Sequence, residues 1–289
     1  MLKIGYLGPI GTFSNSALEK YLNQNQLEAE GIPAKNFFDL FVMLQNNDCQ
    51  EIVVPIENSV EGSVNINIDL LVKTENIHIK EEVVIPIKEC LLAKEQCSLE
   101  MITDIISHPQ PIAQCRNFLL DNMPNVTTHS YASTAAAAKM IANGDIKIPD
   151  LQERSNIVAG VLGNKELANI YGLKIIKEDI QDAKNNETRF MVLTRSAVNQ
   201  DTANKTSIVF AAKKDEPGSL FSVLKEFAKN NINLTRITSR PTKEVLGEYL
   251  FFIDFEGGSK DQKIIETLEL VKETTSYFRV LGSYKKEKG

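Results

Sequence analysis

At 289 residues, with 43% hydrophobic and 24% charged side chains, the sequence describes an ordinary globular protein of about two domains. Its net charge of −6, with both signs interspersed and no basic block before the C-terminal KKEK, argues against nucleic acid or a membrane surface as a main partner. Cys49, Cys90, Cys97 and Cys115 form no CxxC pair and have no histidine at ligand spacing, which favours free core thiols over a disulfide or a metal site.

The first residues, MLKIGYLG, read as a strand, with no charged-then-apolar leader and no run of 18 apolar residues anywhere, so a cytoplasmic location is expected. The strand at 2–7 is followed by GPIGTFS, residues 8–14, and a helical pattern from Asn15. A Gly-rich turn entering a helix leaves backbone N–H groups free to face an anion, with Thr12 and Ser14 as added hydroxyls. It is neither a P-loop nor a dinucleotide fingerprint, and tight strand–helix packing explains it equally well.

A short helix is predicted within 36–47. The stretch 51–71 opens as a strand, Ile52 to Ile56, and ends on a polar cluster of Glu57, Asn58, Ser59, Glu61, Gly62 and Ser63. Ligands bind at the carboxyl ends of strands in α/β sheets, so this cluster is where a site belongs. Residues 77–93 read as one long strand bridging two lobes. Ser107 and His108 follow the strand that starts at Asp104, and Gln114 sits one turn into the next helix. No nucleophile or metal partner is spaced to His108, which therefore reads as a structural loop histidine; His78 and His129 carry no signal. STAAAAKMIA, residues 133–142, is a helix with a Ser/Thr cap and a second N-terminus able to face an anion. A strand at 156–163, the helix KELANIYG and the strand LKIIKEDI lead to NNETRFMVL, residues 185–193. There Thr188 offers a hydroxyl donor and Arg189 a carboxylate-matching fork at the start of an apolar run, although a strand opened by a β-branched residue reads the same way. The βαβα order predicts parallel sheets with covered faces. After a patternless linker at 196–205, residues 206–289 follow a ferredoxin-like βαββαβ pattern.

Taken together, GYLGPIGTFS at 5–14, PIENSVEGSVN at 55–65, SHPQPIAQC at 107–115, STAAAA at 133–138, NETRF at 186–190, and EPGSLF with TSRP in the tail resemble the monofunctional bacterial prephenate dehydratases that carry a C-terminal ACT domain. The resemblance runs over essentially the whole chain. It implies an α/β catalytic domain at 1–195 with two lobes, like a solute-binding protein: one lobe of about 1–75 and 178–195, the other of about 80–175. An ACT regulatory domain at 206–289 follows, and a chain cut after about Thr194 is expected to keep catalysis.

The implied reaction is the decarboxylating dehydration of prephenate to phenylpyruvate in L-phenylalanine biosynthesis, without metal or other cofactor. Position by position, Thr188 would protonate the departing hydroxyl, while Asn58, Ser107 and Gln114 orient the substrate. Glu57 would border the site as a proton reservoir. Thr12, Ser133 and Thr134 would hold substrate carboxylates at helix N-termini, and Arg189 and Phe190 would shape the pocket. In the tail, the resemblance implies L-phenylalanine as allosteric effector at the interface of two paired domains, held by Pro217, Gly218, Ser219 and Leu220 from one side and Asn233 and Leu234 from the other, with Thr238, Ser239, Arg240 and Pro241 nearby. Thr238 stands where the family carries a Glu. A homodimer or homotetramer is expected. Arogenate dehydratase is the alternative chemistry. A non-catalytic amino-acid sensor is the alternative class, against which Thr188, Asn58, Ser107 and Gln114 all argue.

Overall fold

Three sheets organise the chain. The structure, a computed structural model, describes residues 1–146, 148–152, 157–198, 201–213, 216–242 and 247–287. Four expectations fall partly outside these: Asn156 of the 156–163 strand, residues 199–200 of the linker, Lys214 and Asp215 ahead of the tail's first helix, and Lys288 of KKEK.

The first lobe is built from β1 (Leu2–Leu7), α1 (Phe13–Asn25), β2 (Ala29–Ala34), α2 (Phe37–Gln45), β3 (Glu51–Asn58), the two-residue β4 (Gly62–Ser63), α3 (Asn65–Lys73) and β5 (His78–Pro86). Thr12 caps α1 by accepting from the Asn15 N–H, and Asn36 caps α2 through Asp39 N–H. Each helix presents an i, i+1, i+4 apolar face, Ala17–Leu18–Tyr21 and Leu40–Phe41–Leu44, and buries it on the sheet.

The second lobe holds β6 (Cys90–Ala93), β7 (Asp104–Ser107), α4 (Pro109–Gln114), α5 (Arg116–Asn122), β8 (Thr127–Ser130), α6 (Thr134–Asn143), α7 (Pro149–Gln152), β9 (Ala159–Gly163), α8 (Glu166–Tyr171) and β10 (Lys174–Lys177). The chain then returns to the first lobe in β11 (Glu187–Thr194). The strand orders are β2-β1-β3-β11-β5 and β10-β6-β9-β7-β8, with β4 paired to β3.

Two expectations are corrected here. The stretch 77–93 is not one strand but two in different sheets: β5 pairs with β11 in the first lobe, so the change of lobe falls at 87–89 rather than near residue 80. Nor are the sheets all parallel. β11 runs antiparallel to β3 and β5, because the chain re-enters the first sheet from the opposite end, and β6 runs antiparallel to β9 and β10.

The C-terminal domain comprises β12 (Lys205–Ala212), α9 (Ser219–Lys229), β13 (Leu234–Pro241), β14 (Tyr249–Glu256), α10 (Gln262–Glu273) and β15 (Thr275–Tyr284), with antiparallel strand order β13-β14-β12-β15. This is the expected ferredoxin-like unit. Its helices cover one face, packing Val223, Phe227, Ile264 and Val271 over Ile208, Phe210, Ile253 and Phe255. The other face does not meet solvent as a free module would. Val209, Phe252, Leu281 and Tyr284 join Leu40, Phe41, Leu44, Ile79, Met191 and Leu193 in one continuous core, so first lobe and C-terminal domain share their apolar interior. Gly282 is part of that fit: a Cβ there would lie 2.5 Å from Ile79 O, and β15 can approach β5 because it has none. Among the described residues no helix is long and apolar enough to cross a membrane.

Candidate active site between the lobes

The ends of β3 and β11 lie side by side, with Asn58 opposite Thr188. Asn58 Oδ1 accepts from the backbone N–H groups of Val60 and Glu61, both at 2.9 Å, which fixes the amide with Nδ2 as donor. Nδ2 points at Thr188 Oγ1 (2.9 Å), Asn186 Oδ1 (2.7 Å) and Glu187 O (3.2 Å). The Thr188 hydroxyl therefore accepts from Asn58 and keeps its own proton to donate. Ser59 closes the turn, donating to Asn185 O and accepting from Glu187 N–H. Two residues far apart in sequence thus form one rigid, buried polar unit.

On the facing lobe, Ser107 at the end of β7 is buried, donates to Leu162 O at 2.7 Å and lies 3.2 Å from Thr134 Oγ1 at the start of α6. Ser133 caps α6 through Ala136 N–H, and His108 caps α4 through Gln110 N–H, the structural role expected of it. Gln114 reaches across the cleft: its Nε2 donates to Glu61 Oε1 at 2.8 Å, and Gln110 Nε2 to Glu61 Oε2 at 2.9 Å. Asn164 Nδ2 and Tyr171 OH add cross-lobe bonds to Gly11 O and Ile10 O. The structure thus gathers Asn58 with Thr188 and Ser107 with Thr134, while Gln114 is engaged by Glu61. Thr12 holds its own helix start, donating to Leu7 O.

Glu57, Arg189 and Phe190 do not line this cleft as expected. Successive strand residues point to opposite faces, so Glu57 and Arg189, one step from Asn58 and Thr188, face the C-terminal domain. Arg189 Nη2 lies 2.7 Å from Asp254 and 3.2 Å from Glu57, and Nη1 lies 3.5 Å from Glu82. Lys205 Nζ pairs with Glu82 at 2.6 Å, and Arg236 Nε stands 3.5 Å from Glu57. Burial alone would raise the Asp254 carboxyl, but Arg189 and Arg236, with the Ser207 hydroxyl and Lys205, hold it below the usual carboxylate range. Burial alone would lower Arg189, and Asp254 overcomes it to hold the charge. Arg189 is thus occupied by protein carboxylates. Glu57, between two guanidinium groups, is not placed as a proton reservoir for the cleft. Phe190 is sealed in the first-lobe core beside Tyr6, Leu18 and Val192 and acts only through packing.

Several residues that the sequence did not single out belong to the same region. Asn186 opens NETRF, yet its contact with Asn58 needs the paired strands. Glu89, in the crossing at 87–89, has no exposed surface, and burial pushes its carboxyl up to about 8. Its two oxygens, with Gln114 Oε1 and Asn186 Nδ2, are among the buried polar atoms with no hydrogen-bond partner in the described residues.

The expected effector residues divide. Gly218, in a left-handed conformation (φ 92°), opens α9 with Ser219 and Leu220 beside a cavity of about 510 Å³ lined by Phe221, Thr242, Tyr249 and Phe251. Asn233 and Leu234 stand at the other end of the sheet, by Phe255 and Glu256. The length of β14 between Tyr249 and Phe255 separates the groups, roughly 20 Å at about 3.3 Å per residue. Thr238 shares the lobe-facing side of β13 with Arg236 and Arg240, and Arg240 is committed to Asp69 of α3 through two bonds of 2.8 and 2.9 Å.

Residues 4–198 match the prephenate dehydratase family and 206–269 the ACT domain. The chain is 39% identical to a prephenate dehydratase of Methanocaldococcus jannaschii over 96% of both chains. It is 37% identical to arogenate dehydratase 2 of Petunia hybrida, over all of this chain and 73% of that one. A crystal structure of an Arthrobacter aurescens prephenate dehydratase in complex with L-Phe superposes with a TM-score of 0.85 at 31% identity, covering 99% of this chain and 90% of that one. The chain is an enzyme that belongs to the prephenate dehydratase family, with an ACT domain at its C-terminus.

Proposed function

We infer that this chain converts prephenate to phenylpyruvate for L-phenylalanine biosynthesis, and that Thr188 is the proton donor. The observation that carries this reading is the Asn58–Thr188 pair: an amide oriented by two backbone N–H groups donates to the threonine hydroxyl and leaves that hydroxyl its own proton to give. In the reaction the ring carboxylate leaves as carbon dioxide, its electron pair aromatises the ring, and the C4 hydroxyl departs as water once protonated. The barrier lies in expelling hydroxide, so a fixed donor at that oxygen acts where charge develops. Ser107, Thr134 and Gln114 approach from the second lobe, where the substrate's carboxylates and hydroxyl would be oriented. The assay mixes protein with prephenate and follows phenylpyruvate absorbance. No product from prephenate, with turnover of arogenate, would move the assignment to the second reading, which the similarity to the Petunia enzyme favours.

Feedback by L-phenylalanine is part of the same proposal, supported by the ACT domain and by the relative solved with L-Phe. Because Gly218–Leu220 and Asn233–Leu234 lie at opposite ends of one sheet, an amino acid touching both groups needs two copies of the chain, which supports a homodimer or homotetramer. Titration of L-Phe with rate and light scattering as readouts tests it; a strict monomer with no binding signal would remove this part.

A further inference from the structure

β13 of the ACT domain alternates exposed and inward side chains, and two inward residues, Arg236 and Arg240, hold one short stretch of the first lobe. Arg236 Nη2 donates to Ser63 Oγ at 2.9 Å, and its Nε lies 3.5 Å from Glu57 Oε2. Glu57 and Ser63 are cross-strand partners in the β3–β4 hairpin, so one guanidinium touches both strands at its base. Arg240 grips Asp69 just beyond the hairpin. Between these holds the hairpin carries Asn58, which meets Thr188, and Glu61, which crosses to Gln110 and Gln114. The Arg236 side chain is 7% exposed. Burial lowers it from its ordinary value, with Asp254 and Glu57 countering and the neighbouring Arg189 adding to the lowering. A cation stands here against its solvation preference, at a point where it touches both strands of the loop that forms the site.

We propose that Arg236 is a positioning residue for the reaction: from the ACT domain it fixes the base of the β3–β4 hairpin, and through it both the Asn58–Thr188 contact and the tip that reaches the second lobe. This rests on reading the cleft as the dehydratase site. It also couples the ACT domain to that site, since the hairpin base is held to β13. Lysine is a point charge without the planar fork and serves one of the two partners, not both.

The test compares full-length Arg236→Met and Arg236→Lys with the parent. Hydrogen exchange is followed at Val60 and Glu61, whose N–H groups are held by Asn58 Oδ1. In Arg236→Met these amides should exchange about tenfold faster while the centres of β12 and β14 stay protected, and kcat/KM for prephenate should fall about tenfold. Arg236→Lys should recover part of both. L-Phe should still bind by calorimetry but change the rate less. Unchanged protection at 60–61, an unchanged kcat/KM, or acceleration spread over the whole ACT domain would each overturn the proposal. If the parent itself does not turn over prephenate, the functional reading fails, and exchange at Val60 and Glu61 still decides whether Arg236 grips the hairpin.

Discussion

The first lobe has two boundaries of opposite character. Against the second lobe it makes hydrogen bonds across a cleft, among them Glu61 with Gln110 and Gln114, and Tyr171 with Ile10 O, that lie largely at the exposed surface. Against the ACT domain it shares a hydrophobic core and a cluster of charges, Arg189, Arg236 and Lys205 with the buried Glu82 and Asp254 and the partly exposed Glu57. The C-terminal tail adds to the second boundary, with Glu287 on Lys20 and on the Val84 N–H. A boundary of solvent-exposed hydrogen bonds opens at little free-energy cost, whereas one built from buried apolar area and paired charges does not. The cleft is therefore where motion is expected, and the ACT domain moves with the first lobe.

The largest effect expected from this contrast is the loss of folding when the chain is cut after Thr194, contrary to the detachable module that the sequence suggested. The cut uncovers apolar side chains of the shared core such as Ile79, on which Gly282 packs, and takes Asp254 from Arg189 and Lys205 from Glu82. Fully burying one such apolar side chain is worth about 1.5–3 kcal/mol, so losing several consumes a large share of the roughly 5–15 kcal/mol typical of a whole domain. Circular dichroism of the truncated chain checks it; a cooperative melt near that of the full chain would break the comparison. Thr188→Ala comes next. It should lower kcat by roughly 10²–10⁴ with little change in melting, since Asn58 keeps Asn186 and Glu187 as acceptors, and Thr188→Ser should retain part of the rate.

Lys205→Met should destabilise by about 1–3 kcal/mol in urea unfolding, because the buried Glu82 loses its shortest ion pair and keeps only Arg189 at 3.5 Å and the Glu287 N–H. Glu89 sharpens the view of the crossing between the lobes. Its folded carboxyl, near 8, lies above the ordinary value of about 4.3, so the folded state binds the extra proton between the two. Stability from this group is complete below about pH 4.3 and declines as pH rises to about 8, at up to roughly 1.4 kcal/mol per pH unit. Glu89→Gln should flatten that decline, and chemical denaturation at pH 5 and pH 8 measures it. The smallest effect belongs to Glu61→Ala. At an exposed contact it should change stability by less than about 0.5 kcal/mol while removing both glutamine bonds, so the ligand-free protein should show a larger radius of gyration in X-ray scattering.

Much of the layout was legible in the linear pattern, and the gaps follow one rule. β1, β3 and β11 are apolar runs flanked by clusters of small polar residues, and they read as strands because both faces are buried. β2 (AEGIPA) and β8 (TTHS) escaped notice because they are edge strands, half solvated and carrying Glu30, Pro33 and Thr127 where a central strand carries Val or Ile. The 77–93 stretch has the apolar content of one strand, and only Pro86 and the polar pair Lys88–Glu89 mark the passage from one sheet to another. In the site, Asn58 and Ser107 close strands and Thr188 stands at the start of β11, while the roles of these and of Gln114, in the helix after β7, are what the family resemblance implies. Glu57 and Arg189 were assigned to the wrong face because neighbours in sequence diverge by alternation in a strand, and which face meets the cleft depends on what packs behind it.

By itself the sequence determined the βα order, the ferredoxin-like pattern of the tail and the polar groups closing the strands, since local periodicity and turn chemistry act within a few residues. Tertiary structure alone decided that Asn58 orients Thr188 across 130 positions, that Arg189 belongs to the ACT boundary, and that first lobe and tail share one core. Pairing register and the partners of buried charges are properties of surfaces brought together, and no short segment encodes them.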